Sequence, residues 1–385
     1  MAGGFRLALV AVAMFATGTD AYVLPGLLPE LAKTLGVEFR TAAQIVSAYS
    51  LIYAISIIPL AVATSRWSFR ITLGVGLALF VIGALTSAMA TSFSAMLLAR
   101  CCCGLGVAIV APTCAATAVA LQPPNRHGRA ISIIMFSLAL AMAVGLPAGA
   151  FVAAAFGWRT TLLLLAAIAA AALVGVLATQ WPERKQTVSV PSLAADRLLL
   201  LGLSTAYLAF VGLYCVYIYF GPVFDRTTSA NATTLSFLLW LWGLAGVAGS
   251  LTAAWVCDRL GARTLVFITL GCLGINFVAL PVAGAAVPSA LASIAVWGFC
   301  GMMLSIALQR QLIERAPTQA AVLSACFVCA LQGGIATAGV VGAAMIGKIG
   351  AHQLPLLGSA FLALAVLVQW IAVSAIGAGL ARKPA

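Results

Sequence analysis

Apolar runs of about 20 residues, separated by short polar joints, recur along the whole chain. A helix rises 1.5 Å per residue, so about 20 apolar residues cross a hydrocarbon core of roughly 30 Å. On that template the sequence predicts twelve spans, at 7–28, 42–63, 71–90, 94–120, 130–151, 160–180, 198–221, 233–256, 264–284, 288–311, 319–346 and 355–380. The runs are continuous and do not alternate at every second residue, which excludes a transmembrane β-barrel. The expected fold class is an all-α membrane protein.

Composition makes the bilayer the solvent. Of 385 residues, 64% are hydrophobic and 7% charged, with a mean hydropathy of +1.15. A soluble chain carries about 25% charged residues, and no globule hides this much apolar surface from water. Soluble enzymes, nucleic-acid partners and secreted disulfide scaffolds are excluded, despite a net charge of +12.

The basic residues instead set an orientation. If the N-terminus is cytoplasmic, that side holds Arg6, Arg66, Arg70, Arg126, Arg129, Arg184, Lys185, Arg197, Arg259, Arg263, Arg310, Arg315, Arg382 and Lys383. The other side holds only Lys33, Arg40, Arg159, Arg226 and Lys348. Cytoplasmic loops collect Lys and Arg, so both termini are expected in the cytoplasm. Arg6 before an apolar run imitates a signal peptide, but the run continues through Asp20 to Leu28 without a small-residue cleavage site, and reads as an uncleaved span.

The ten cysteines fall in or beside spans and read as packing residues. Cys326 and Cys329 form a C-x-x-C with no ligand cluster around it. No metal or cofactor is expected.

The segment 181–197 holds two prolines and several charges at the middle of the chain, and reads as a cytoplasmic linker between two six-helix bundles, 1–180 and 198–385. A shift of 193 residues aligns the halves: Arg66 falls on Arg259, Arg70 on Arg263 and Gly157 on Gly350.

Several motifs occur in a telling order. They are Gly18-Thr19-Asp20 through Pro29; Arg100 followed by Gly104 and Gly106; Gly145-Leu-Pro147-Ala-Gly149; Gly157-Trp158-Arg159; and Gly249 through Arg263. From about residue 5 to 380 the pattern resembles the major facilitator superfamily, in particular its twelve-helix drug:proton antiporter branch, which includes the arabinose-efflux-like permeases. The resemblance implies two pseudo-symmetric bundles in a bacterial inner membrane, alternating access, and export in exchange for protons by a single chain. Arg66, Arg70, Arg259 and Arg263 most simply enforce topology, and the resemblance also implies a gating role for Asp258 with these nearby arginines. The chain departs from the family where the loop between spans two and three usually carries Asp-Arg-x-Gly-Arg. Ser65 and Ser68 stand at its Asp and Gly, while Asp258 keeps the second-half version.

Two charges lie inside spans, Asp20 and Arg100. A charge at mid-bilayer costs at least about 2.5–3.5 kcal/mol, so it needs a partner or a function. Helix rise places Asp20 about 12 Å and Arg100 about 9 Å below the outer surface. Their depths agree, and the resembled fold has both spans line the cavity of the first half, so the two can meet. One reading is a static salt bridge. The other takes Asp20 as a proton site that Arg100 tunes, because desolvation favours the neutral acid and a nearby guanidinium favours the carboxylate.

Candidate cavity residues are Tyr49 and Tyr53, Tyr207, Tyr214 and Tyr217, Trp297 and Met302, and Gln332. Aromatic and Met-rich walls suit small amphipathic or apolar substrates, although such residues equally pack or form interfacial belts. Gly104, Gly106, Gly145 and Gly149 permit close helix approach, and Pro147 permits a bend. A sugar, nucleoside or amino-acid exporter is the alternative within transport. A membrane enzyme lacks an acid–base constellation, since His127 and His352 lie near loops without such partners. No G-x-x-x-x-G-K-[ST] loop is present for ATP. A channel or receptor would leave the halves and Asp20 unexplained.

Overall fold

A computed structural model describes residues 2–123, 126–182, 197–228, 232–316 and 319–380. Every regular element among them is helical, and twelve helices are long and apolar enough to cross a membrane. They are α1 (Ala2–Leu35), α2 (Gln44–Ala63), α3 (Phe69–Met89), α4 (Phe93–Ala120), α5 (127–156), α6 (Trp158–Ala178), α7 (Arg197–Tyr217), α8 (Ala232–Leu260), α9 (Ala262–Ala283), α10 (Val287–Ile313), α11 (Ala320–Ile349) and α12 (Leu354–Leu380). In lipid, each backbone N–H and C=O must be satisfied within its own segment, and a helix does this for a uniformly apolar run. Most of the linker, 183–196, and with it Arg184 and Lys185, lies outside the described residues, as do Arg382 and Lys383.

Local chemistry sets the helix ends. The Ser68 and Ser92 hydroxyls cap α3 and α4, each accepting from a backbone N–H three residues on at 3.3 Å. Gly157 and Gly350, the matched pair of the 193-residue shift, adopt φ of 85° and 81° at the α5–α6 and α11–α12 joints. A side chain at either position would be strained, so the repeat survives where the backbone requires glycine.

Two differences from expectation stand out. α1 extends well beyond the predicted 7–28, because its polar C-terminal turns Glu30–Leu35 remain helical. And α5 is not one α-helix: it runs His127–Leu140, passes through a π turn at Ala141–Gly145, and resumes at Leu146–Phe156. Pro147 cannot donate to the carbonyl four residues back, and its ring crowds that carbonyl. A widened turn just before it relieves both problems.

The chain forms two compact units, 1–189 and 190–385. In the first, α1 packs on α4, α5 and α6, α3 packs on α4 and α6, and α2 packs on α4. Glycines allow these approaches. A Cβ on Gly104 would lie 2.7 Å from the Tyr49 carbonyl oxygen of α2, and one on Gly106 would lie 2.6 Å from the Phe80 nitrogen of α3. The two glycines therefore seat α4 against different neighbours. On α5, a Cβ on Gly145 would overlap the Thr19 side chain, and one on Gly149 would come to 2.7 Å from Val23, so both seat α5 on α1. Leu7, Val10 and Met14 of α1 meet Leu77, Val110, Ile134 and Val176 in a core at the N-terminal end of α1.

The second unit repeats each of these pairings. α7 packs on α10, α11 and α12, α9 on α10 and α12, and α8 on α10. Its core differs in chemistry. Tyr217, Phe220, Trp242, Phe277 and Trp297 form a cluster, with Tyr217 and Trp242 rings 4.5 Å apart. Nearer the far end of α10, the buried Gln311 and Gln369 exchange amide hydrogen bonds of 2.9 and 3.3 Å. Each amide satisfies the other where water is absent.

Candidate functional site

The two intramembrane charges meet. α1 and α4 are neighbours, and Arg100 grips Asp20 with two parallel hydrogen bonds, Nη1 to Oδ1 at 2.9 Å and Nη2 to Oδ2 at 2.6 Å. Both side chains are 0% exposed. The planar guanidinium matches a carboxylate in this fork geometry. No other charged side chain is fully buried among the described residues. Removing one partner would strand the other, at a cost of about 3–5 kcal/mol in comparable buried pairs.

Neighbouring helices bracket the pair. On α2, the Tyr49 ring centroid lies 4.9 Å from the guanidinium carbon, a distance suited to cation–π attraction. The close seat of Gly104 on the Tyr49 backbone brings α2 near enough for this. Tyr53 meets the Tyr49 ring edge-on at 6.2 Å. Cys103, one turn along α4, accepts weakly from Arg100 at 3.8 Å. On the α5 side, Thr19, next to Asp20 in sequence, abuts Gly145 at the π turn. Three buried polar atoms around the pair make no hydrogen bond: Thr19 Oγ1, the Tyr49 hydroxyl and Arg100 Nε.

The other cavity candidates lie in the second unit. Tyr207 and Thr337 share a hydrogen bond of 2.7 Å between α7 and α11. Tyr214 is half-buried and its ring meets Tyr217 edge-on at 5.4 Å. Tyr217 and Trp297 are buried in the aromatic cluster, whereas Met302 is partly exposed. Gln332 is buried and its Oε1 has no partner.

The proposed gating residues are not one cluster. Asp258 pairs with Arg310 of α10 at 2.6 Å, and Arg310 also holds Glu314 at 2.8 Å. Arg259 instead lies over the Trp255 ring at 3.8 Å. In the first unit, Arg70 donates to the Leu177 carbonyl of α6, and Arg66 is exposed, as is Arg263 in the second. Arg310 and Glu314 were not singled out from the sequence, although their four-residue spacing at a helix end is readable as an ion pair. Gly157-Trp158-Arg159 proves to be a joint: Trp158 donates to Thr34 of α1 at 3.2 Å, and Arg159 to the Ala90 carbonyl at 3.0 Å.

Comparison with known proteins agrees with this picture. A family model described as the Major Facilitator Superfamily matches residues 10–336. An uncharacterized MFS-type transporter, YbcL of Bacillus subtilis, is 26% identical over 282 residues, 70% of this chain and 72% of that protein. A probable sugar efflux transporter of Mannheimia succiniciproducens is 25% identical over 348 residues, 89% of this chain and 86% of its own length. Among solved structures, a mutant of the nucleoside transporter NupG superposes with a TM-score of 0.76 at 14% identity, covering 96% of this chain and 99% of that one.

Proposed function

The chain belongs to the major facilitator superfamily, a family of membrane transporters, and we propose that it is a proton-coupled exporter of small molecules whose proton site is Asp20. The observation that carries this reading is the fully buried, two-bonded Asp20–Arg100 pair. A carboxylate in this setting has two stable forms. Held by Arg100 it is ionised; parted from Arg100 in a medium of low dielectric it is favoured as the neutral acid. Motion that separates α1 from α4 therefore loads a proton, and motion that restores the pair expels it.

A shift of α1 against α4 inside the first unit, coupled to alternating access, supplies such motion, and loading on one side with release on the other makes the cycle an antiport. One proton moving down about 100 mV and about one pH unit releases about 3.7 kcal/mol, enough for a substrate gradient of a few hundredfold. The working chain is a monomer in a bacterial inner membrane with both termini cytoplasmic, in keeping with its basic loops.

Amphipathic or apolar molecules are the favoured substrates, from the partly exposed aromatic and methionine side chains Tyr207, Tyr214 and Met302. A polar solute such as a sugar is the second reading. It draws on the unpartnered Gln332 amide oxygen and on the relative named as a probable sugar efflux transporter.

The test is efflux from energised cells, with a lipophilic cationic dye and a labelled pentose as parallel probes, with and without a protonophore. Export of either probe that stops both with the protonophore and in Asp20→Asn is the expected result. Export unaffected by the substitution would overturn the coupling assignment.

A further inference from the structure

Tyr49 carries a hydroxyl that the closed ion pair does not use. The residue is 3% exposed. Its ring covers Arg100, meets Tyr53 and sits beside Gly104, and phenylalanine would make all three contacts. The hydroxyl adds a buried polar atom without a hydrogen-bond partner, which is unfavourable in a dry interior. A group unsatisfied in one state is explained if another state satisfies it.

The proton-loaded state has such a need. A neutral Asp20 carries an O–H that requires an acceptor in a dry interior. Arg100 cannot serve, because a guanidinium has donors and no acceptor. The hydroxyls of Thr17, Thr113 and Thr117 donate to carbonyls of their own helices, so unlike the Tyr49 hydroxyl each already has a partner. Cys103 Sγ is a weak acceptor, already set against Arg100 and the Phe80 carbonyl. Thr19 Oγ1 is unpartnered too, but it is turned onto Gly145 of α5. The titratable and charged groups that face Tyr49 are Asp20 of α1, Arg100 and Cys103 of α4 and Tyr53 of its own helix, with no other buried charge among the described residues.

We infer that the Tyr49 hydroxyl is the acceptor for protonated Asp20, a positioning group that takes the place of Arg100 when the pair opens. This rests on Asp20 being the proton site. In the ionised state Arg100 fills both carboxylate oxygens and the phenol idles. In the protonated state the acid O–H bonds to the phenol oxygen while Arg100 is free to move. Swapping one partner for the other keeps Asp20 satisfied in both states, so neither is trapped.

The sign of the effect of Tyr49→Phe follows. It removes a hydrogen bond from the protonated state and an unsatisfied atom from the ionised state, so both changes disfavour proton uptake. The full-length protein, reconstituted in vesicles, is titrated across about pH 4 to 9 while the infrared carboxylic-acid band of Asp20, assigned by its loss in Asp20→Asn, is followed. The expected result is a midpoint about one pH unit more acid in Tyr49→Phe, a tenfold weaker proton affinity, with an unchanged midpoint in Thr19→Val. Thermal unfolding at neutral pH should show Tyr49→Phe at least as stable as the wild type, since the ring remains. A Tyr49→Phe midpoint equal to the wild type's, or a shift that appears in Thr19→Val instead, overturns the role of Tyr49 alone. A wild-type protein with no Asp20 acid band at any pH overturns the proton site itself, and this proposal with it.

Discussion

Replacing Asp20 by asparagine leaves the Arg100 guanidinium charged and 0% exposed, with a single neutral amide oxygen in place of the two carboxylate acceptors at 2.9 and 2.6 Å. Stranding a buried charge in this way costs about 3–5 kcal/mol. For a unit of this size each kcal/mol moves the melting point by about 2–4 °C, so Asp20→Asn should lower it on the order of 10 °C. The double variant Asp20→Asn with Arg100→Met removes the stranded charge while its apolar stem keeps much of the packing, and should recover roughly half or more of the loss. Melting of purified protein in detergent, read by tryptophan fluorescence, gives the first quantity, and proton-driven export in vesicles gives the second. If the pair is the coupling site, stability returns in the double variant while uphill export does not. Recovery of both would make the pair a structural staple and refute the proton assignment. A single variant melting within about 2 °C of the wild type would refute the energetic argument.

Other outcomes follow from the packing. Gly106→Ala places a Cβ 2.6 Å from the Phe80 nitrogen and should lose about 1–3 kcal/mol by forcing α3 from α4, seen as a lower melting point. Gln369→Leu leaves the buried Gln311 amide unpaired and should cost about 1–3 kcal/mol, whereas Gln311→Leu with Gln369→Leu should be close to neutral by the same melt. Asp258→Asn breaks a pair whose carboxylate is 66% exposed, so the melting point should stay within about 2 °C, and any effect should appear in export rate.

Much of the chemistry around the buried pair was legible in residue types but not in partners. Asp20 and Arg100 announce themselves as charges inside apolar runs, and helix rise puts them at matching depth. The resemblance gives Asp258 a role with nearby arginines without naming its partner, and the structure shows that partner to be Arg310 on another helix, because a side chain at a helix end meets whatever packs beside it. The aromatic residues of α7 read as one set from sequence, whereas packing divides them: Tyr217 is buried in the core, and Tyr207 and Tyr214 stay partly exposed. The π turn left one trace, a proline two residues after a glycine, and helical periodicity does not register a single widened turn.

By itself the sequence determined the number of membrane-length helices among the described residues, their approximate limits and the two-fold repeat of the chain. These are local properties: apolar length against bilayer thickness sets each span, and glycine at Gly157 and Gly350 satisfies a backbone requirement that needs no distant partner. Only the tertiary structure decided which side chains meet. The pairing of Asp20 with Arg100, the seat of Tyr49 over the guanidinium and the glycine contacts of α4 and α5 join residues far apart in the chain. Such contacts depend on how helices rotate and approach, and in lipid close packing and hydrogen bonding, not apolarity, choose the rotation.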